Sequence, residues 1–137
     1  PMFETFDHTA DIGLRIRAVT EADLFCDAGR GLFSLLVDNI DDVRPNQSMN
    51  FEITGEDREY LLFDWLNELL YRFETEKWLF AEFDVRLSPD GLTATATGEH
   101  FDADRHRLSH EVKAVTYHHL VLEQNESGWL AEVIFDI

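Results

Sequence analysis

The stretch "DIGLRIRAVTEADLF", residues 11–25, carries the pattern that decides the fold class. Apolar side chains alternate with arginines from Leu14 to Ala18, and this period of two predicts a half-buried β-strand. Thr20 then offers a helix N-cap, and two acidic residues follow in the first turn, where the helix dipole favours negative charge. Apolar residues recur at helical spacing from there to Leu36. The chain therefore passes from a strand into an amphipathic helix within a few residues.

The rest of the chain continues this alternation of strands and helices. Phe51 marks a short strand, and a second helix begins near Asp57 and contains the apolar stripe of "EYLLFDWLNELLYRF", residues 59–73. The apolar period then returns to two. Hairpin turns are predicted at "SPDG", residues 88–91, and at "NESG", residues 125–128.

The order of elements is strand, helix, strand, helix and then a run of strands. It predicts an α+β fold in which two helices pack on a mainly antiparallel β-sheet. The length of 137 residues and the hydrophobic fraction of 45% predict a single domain over residues 1–137 with its own core. An internal duplication of a strand-helix-strand-strand unit is suggested by the two helix-bearing segments, and the sequence alone leaves it open.

Composition excludes several classes of protein. Cys26 is the one cysteine, so the chain has no internal disulfide and no cysteine-based zinc site. No apolar run is long enough to cross a bilayer, and no signal peptide opens the sequence. We therefore expect a cytoplasmic protein with no membrane partner.

The charge is strongly negative, with 28 acidic against 11 basic residues and a formal net charge of -17. Binding to a nucleic-acid backbone relies on clustered lysine and arginine, so the charge argues against direct RNA contact. A field of this sign attracts cations or a basic protein partner. The alternative is an acidic surface adapted to a high-salt, halophilic cytoplasm, and we favour that explanation for most of the charge.

The histidines give weak support for a zinc site. His106 and His110 are spaced to share a helix face, but nothing indicates a third ligand there. His118 and His119 lie within an expected strand, where neighbouring side chains point to opposite faces. They are therefore not expected to bind one ion together.

The two ends of the chain supply a stronger candidate. If the first long strand pairs antiparallel with the last one, Asp11 lies near Asp136, and the main-chain carboxylate of Ile137 is within reach provided the natural chain ends there. Three converging carboxylates repel one another, and a hard cation such as calcium or magnesium resolves that conflict. His8 could supply a fourth ligand or a hydrogen bond. The alternative is that both aspartates are merely solvated strand ends.

Lys113 is one of only two lysines and precedes an apolar, β-prone run. It is either a snorkelling side chain at the start of a strand or a cation placed to meet a carboxylate or a phosphate.

Several segments together resemble the archease family. They are "HTADIGLRIRA" (8–18), "EYLLFDWLNELLYRFETE" (59–76), "GEHFD" (98–102) followed by "RH" (105–106), "EVKAVTYHHL" (111–120) and the terminal "FDI" (135–137). The resemblance spans essentially the whole chain. Its most specific parts are the "VKAVTYH" segment and the aspartate near the C-terminus.

This resemblance implies an accessory protein rather than an enzyme. Archeases activate the RtcB-type RNA ligase of tRNA splicing and RNA repair, promoting its guanylylation and multiple turnover. The family's metal site falls on Asp11, Asp136 and the terminal carboxylate of Ile137, with His8 adjacent, and its motif lysine falls on Lys113. The expected cofactor is a divalent metal, first calcium and otherwise magnesium or manganese. RNA is then contacted only through the ligase.

Two other functions stay open at this stage. An independent metal-dependent hydrolase acting through Asp11 and Asp136 needs a base near the substrate, and the sequence offers no obvious candidate. A small-molecule-binding or chaperone-like domain predicts a sizeable apolar pocket and no dependence on the terminal carboxylate.

Overall fold

The computed structural model describes residues 3–8 and 11–137, apart from the side chains of Asp7 and His8. Its elements in chain order are β1 (Phe3–His8), β2 (Asp11–Ala18), α1 (Glu21–Leu36), a short 3₁₀ turn (Ile40–Asp42), β3 (Gln47–Thr54), α2 (Arg58–Glu76), β4 (Trp78–Ser88), β5 (Gly91–His100), β6 (Ala114–Asn125) and β7 (Gly128–Asp136).

The strands form two antiparallel sheets. One has four strands in the order β1-β2-β7-β6, and the other has three in the order β3-β5-β4. The predicted α+β class with two helices and antiparallel strands is confirmed, and the strands divide between two sheets. The strand β1 was not anticipated from the sequence, whereas both predicted hairpin turns join the strands expected of them.

The topology repeats a strand-helix-strand-strand unit. The first unit contains β2, α1, β6 and β7, and its strands pair in the order β2-β7-β6. The second unit contains β3, α2, β4 and β5, and its strands pair in the equivalent order β3-β5-β4. The second unit is inserted between α1 and β6 of the first. This repeat agrees with the internal duplication that the sequence left open.

Both helices begin at the predicted caps. Thr20 Oγ1 accepts a hydrogen bond from the backbone N–H of Asp23 at 3.1 Å. Asp57 Oδ1 accepts from the backbone N–H groups of Glu59 and Tyr60 at 3.0 and 3.2 Å. These side chains satisfy N–H groups that lack a partner within the helix, which fixes where each helix starts.

The core is shared between the two units. Helix α1 packs on β4 of the second unit as well as on its own β2, and α2 packs on β6 of the first. Trp65 of α2 is fully buried and its Nε1 donates to the carbonyl of Phe25 in α1 at 3.0 Å. Arg30 of α1 donates to the carbonyl of Ala81 in β4. Helix packing therefore fixes one sheet relative to the other.

Candidate functional site

The register of the four-stranded sheet brings the two ends of the chain together. Strand β2 pairs antiparallel with β7 so that Asp11 lies opposite Asp136. The predicted pairing of the first long strand with the last is therefore confirmed. The same row continues to His8 on β1 and to Ala114 on β6. Residues paired across neighbouring strands share a sheet face, so the backbone places these four positions in one line across the sheet.

The aspartates of this row face each other at close range. Asp11 is half-buried and Asp136 is exposed. Directly opposite residues have Cβ atoms about 4.5–5.5 Å apart, and like charges at such positions destabilise a sheet. A cation at this row would offset that repulsion.

Lys113 lies beside the same row. Strand β6 begins at the next residue, as the sequence predicted for a strand start, and the Lys113 side chain is exposed. Its backbone N–H donates to the carbonyl oxygen of Asp136 at 2.7 Å. The main chain of Lys113 is thus fixed at the end of β7, next to the paired aspartates.

Apart from His8, the predicted ligands are all carboxylates, and carboxylate oxygens are the ligands that calcium and magnesium prefer. Their chemistry therefore suits a hard divalent cation. Among the described side chains, those of residues 3–6 and 11–137, however, no group of three or more His, Cys, Asp or Glu has the geometry of a metal site. The predicted contribution of the His8 side chain lies outside the described residues. Bound metal and its ligands, Asp11, Asp136 and the carboxylate of Ile137, therefore stay predictions.

The next rows of residues on this sheet face contain a packed aromatic ring and carboxylates that are paired with an arginine. The ring of Phe6 occupies the space above Gly13, where an added Cβ would lie 2.1 Å from a ring carbon. Arg15 then binds Glu132 Oε2 at 2.6 Å and Glu4 Oε1 at 3.2 Å. The hydrogen bond from Arg15 lowers the pKa of the Glu4 carboxyl. Acidic side chains further along the face therefore have arginine partners.

The prediction that His118 and His119 point to opposite faces is wrong. The register of β6 with β7 shifts between Thr116 and Val121, and His119 has a positive φ of 67°. The two imidazole centroids consequently lie only 3.9 Å apart. Strict alternation holds in a regular strand, and a bulge breaks it.

The expected helix face shared by His106 and His110 is also wrong, because residues 101–113 form no helix. His110 is exposed, whereas His106 is almost fully buried. His106 Nδ1 accepts from the backbone N–H of Asp102 at 2.9 Å, so the ring proton lies on Nε2 and is donated to Glu99 Oε2, also at 2.9 Å. The histidine is a satisfied core residue.

Glu99 is the centre of a buried polar cluster that sequence reasoning missed. Its carboxylate also accepts from Arg105 and from the backbone N–H of Arg44, the latter at 2.8 Å. The hydrogen bond from Arg105 is the largest cause that lowers the pKa of Glu99, and the hydrogen bonds from the Arg44 N–H and from His106 act in the same direction. Together they outweigh the effect of burial and lower this pKa to about 2. The "GEHFD" and "RH" segments were the signal, since they contain three of the four residues of the cluster, Glu99, Arg105 and His106. This cluster ties the segment that leads to Lys113 onto the body of the protein.

Known proteins and a family model match this chain over nearly its full length. A family model described as "Archease protein family (MTH1598/TM1083)" matches residues 3–137. A protein archease from Methanopyrus kandleri is 39% identical over 98% of this chain and 99% of its own. Another from Pyrococcus furiosus is 37% identical over 98% of each chain.

Solved structures share the fold. The solution structure of Methanobacterium thermoautotrophicum protein 1598 has a TM-score of 0.86 and 38% identity, covering 98% of each chain. A Thermotoga maritima archease crystal structure has a TM-score of 0.68 at 20% identity, covering 100% of this chain and 98% of that one, and at this identity shows the fold alone. Neither described helix has the length and apolar character needed to span a membrane. The family match, the curated relatives and the fold together show that the chain belongs to the archease family.

Proposed function

We propose that this chain is an accessory protein, not an enzyme, that activates an RtcB-type RNA ligase in tRNA splicing and RNA repair. In this role it promotes guanylylation of the ligase and its multiple turnover. Family membership supports the proposal. The structural observation that carries it is the register that sets Asp11 opposite Asp136, with Lys113 hydrogen-bonded to the end of the same strand.

The proposed site is a divalent cation site with an adjacent lysine. Asp11, Asp136 and the main-chain carboxylate of Ile137 are the proposed ligands, with calcium the first choice and His8 next to them in the row. When bound, a divalent ion supplies positive charge next to the acidic row. Lys113 adds a second positive charge at this sheet edge, suited to a phosphate or to the carboxylates.

The charge of the protein favours a protein partner over direct RNA contact. A net charge of -17 repels a phosphate backbone and attracts a basic surface. Phosphoryl transfer depends mainly on positioning and on charge neutralisation, so an accessory protein that orders charge near the ligase's nucleotide can raise its turnover. In this proposal the ligase, and not this chain, holds the RNA.

The test is multiple-turnover RNA ligation by the matching ligase with GTP and divalent metal, adding wild-type protein or Asp136→Asn. We expect the variant to lower activation by at least about tenfold, because losing even an outer-shell partner of a metal ligand typically costs about tenfold to a hundredfold. Glu126→Gln is the matched control, because it removes one negative charge from the exposed β6–β7 turn. Full activation by Asp136→Asn would show that the site is wrong, and no activation by wild type would overturn the proposed partner.

The rival functions give different results in simple assays. An independent hydrolase turns over a nucleotide or phosphoester without the ligase. The Thermotoga maritima relative is described as an "archease, possible chaperone". A chaperone-like role for this chain predicts that deleting Ile137 has no effect on activity, whereas the proposed metal site predicts a loss of activation.

A further inference from the structure

A cluster of aromatic side chains lies at the surface where the bulge of β6 meets the start of α2. Tyr117 stacks on Tyr60 with ring centroids 4.3 Å apart and an interplanar angle of 13°. Phe63 packs edge-on against Tyr117 at 5.6 Å and against Tyr60 at 6.4 Å. We call these three residues the tyrosine patch. Tyr60 is 51% exposed and Tyr117 is 37% exposed, so much of the stacked pair faces solvent.

The bulge that carries Tyr117 is held in place from both sides. Thr116 Oγ1 donates to the carbonyl of Ile134 at 3.0 Å, which anchors the bulge to β7. Leu120, on the other side, is 8% exposed and returns to the core. Tyr117 is therefore presented by a fixed piece of backbone, and an ordered aromatic platform binds a flat group with little loss of conformational freedom.

The surroundings of the patch are acidic. The pKa of the Tyr117 hydroxyl is raised, mainly by burial and to a smaller extent by the negative charges of Glu59 and Asp57. Asp57 is occupied in capping α2, which leaves Glu59 as the carboxylate next to the rings. Arg58, the basic residue of this turn, lies against Glu21 with Nε 3.4 Å from Oε1. The local charge beside the tyrosines is therefore not neutralised by Arg58.

Cations already lie over other aromatic rings of this protein. Among the described residues, Arg15 lies 4.7 Å from the Phe6 centroid, Arg72 lies 5.7 Å from that of Tyr71, and Lys77 lies 5.0 Å from that of Phe73. No such contact within residues 3–8 and 11–137 involves Tyr60 or Tyr117. The tyrosine patch combines stacked rings and a carboxylate without a described intramolecular cation.

We infer that the tyrosine patch binds an arginine side chain of the protein partner, with the guanidinium stacked on the tyrosine rings and paired with Glu59. A planar guanidinium stacks on aromatic faces and pairs with carboxylates, which a lysine ammonium does less well. A nucleic-acid base also stacks on tyrosine, but its phosphates would meet carboxylates here instead of the cations they need. The identity of the partner as the ligase rests on the proposed function, while the chemistry of the patch does not.

The first test needs no ligase, because the chain contains only three tyrosines. Ring-labelled tyrosine gives signals for Tyr60, Tyr117 and Tyr71, and the Tyr71→Phe variant identifies the third. Tyr71 lies on the same helix, is 55% exposed and has its own Arg72, so it is an internal reference. The probe is a short peptide with two arginines, compared with the same peptide containing neutral citrulline and with an oligouridylate.

We expect the arginine peptide to shift the Tyr60 and Tyr117 signals and to leave Tyr71 unchanged. Glu59→Gln should weaken peptide binding by about two- to fivefold, the range of an exposed ion pair, whereas Glu74→Gln on the same helix should not. Equal shifts of all three tyrosines, or equal effects of arginine and citrulline, would overturn the inference. So would a stronger response to oligouridylate, which would make the patch a base-stacking site.

A second test uses the ligase. Tyr60→Leu should raise the concentration of this protein needed for half-maximal activation by about three- to tenfold, with the same maximal rate, because the patch contributes to docking. Tyr71→Leu is the control and should leave that concentration unchanged. An unchanged concentration for Tyr60→Leu would contradict the inference. If wild type fails to activate the ligase, the proposed function fails, and the peptide titration still decides what the patch binds.

Discussion

At the scale of single residues, Glu99 shows how a buried carboxylate organises this fold. Arg105, His106 and the backbone N–H of Arg44 all donate to it. The cluster connects the segment after β5 to the segment before β3, and it fixes the course of the chain towards Lys113. Removing the carboxylate would take this acceptor from the buried His106 Nε2 and from the backbone N–H of Arg44, which is a large cost in a buried setting, whereas Arg105 would keep its contacts with Asp102 and the carbonyl of Asp42.

Glu99→Gln should lower the free energy of unfolding by about 1–3 kcal/mol at neutral pH, the cost of leaving buried polar groups unsatisfied. The pKa of Glu99 in the folded protein is about 2, below its ordinary value of 4.5. A lowered pKa stabilises the folded state above the unfolded pKa, and this contribution is lost as the pH falls from about 4.5 to about 2. Urea unfolding at neutral and at acidic pH measures the difference between wild type and variant.

The difference should be largest at neutral pH and should shrink on acidification. Glu123→Gln, at an exposed position of β6, is the control and should have little effect at either pH. A Glu99→Gln variant as stable as wild type at neutral pH would contradict the structural role of the cluster.

At the scale of elements, the bulge of β6 is the feature that the sequence pattern concealed. The segment "VTYHHL", residues 115–120, is typical of a continuous strand. In the fold the pairing with β7 is interrupted between Thr116 and Val121, and His119 adopts φ 67°. The interruption brings the two histidines together and packs the Tyr117 ring against Tyr60 of α2. Contact with the helix is a tertiary interaction, which explains why local alternation did not reveal it.

The free energy of unfolding of His119→Gly should exceed that of His118→Gly by about 0.5–1 kcal/mol, because both variants lose the contact between the two rings, while glycine at 119 adopts a left-handed conformation without the steric cost of a Cβ. His118→Gly is the matched control. His118 is not among the described residues with positive φ, so the same substitution there should lower stability. Urea unfolding of the two variants gives the comparison. Equal losses for both would show that the conformation of His119 carries no strain.

At the scale of the whole molecule, the nested arrangement of two strand-helix-strand-strand units explains why both ends of the chain meet. The second unit lies between α1 and β6, so the first unit is completed only by the last hairpin. Strand β7 then pairs with β2 and brings Asp136 opposite Asp11. The candidate site therefore exists only when the complete sheet has formed.

The net charge of -17 also acts on the whole molecule. Self-repulsion destabilises a compact chain, and salt screens it. Raising NaCl from 0.1 to 1 M shortens the Debye length from about 10 to about 3 Å, and we expect the thermal midpoint to rise by roughly 5 °C. A calorimetric scan at each salt concentration measures this shift, and a midpoint independent of salt would contradict it.

Screening and site binding can be distinguished by ion type. KCl should match NaCl at equal ionic strength, because screening depends on ionic strength. An additional rise in the midpoint with CaCl₂ for wild type, absent from Asp136→Asn, would indicate a site that binds calcium only in the folded state.

The sequence by itself determined the α+β class, both helix caps and the two hairpins. These features depend on local signals: apolar periodicity, capping side chains and turn residues. The pairing of Asp11 with Asp136 followed from the sequence only on the condition that the first long strand pairs with the last one, and the tertiary structure met that condition. Tertiary structure alone decided the division into two sheets, the burial of His106 with Glu99 and the bulge that joins Tyr117 to Tyr60. Those features arise from contacts between residues distant along the chain, and no local pattern encodes such contacts.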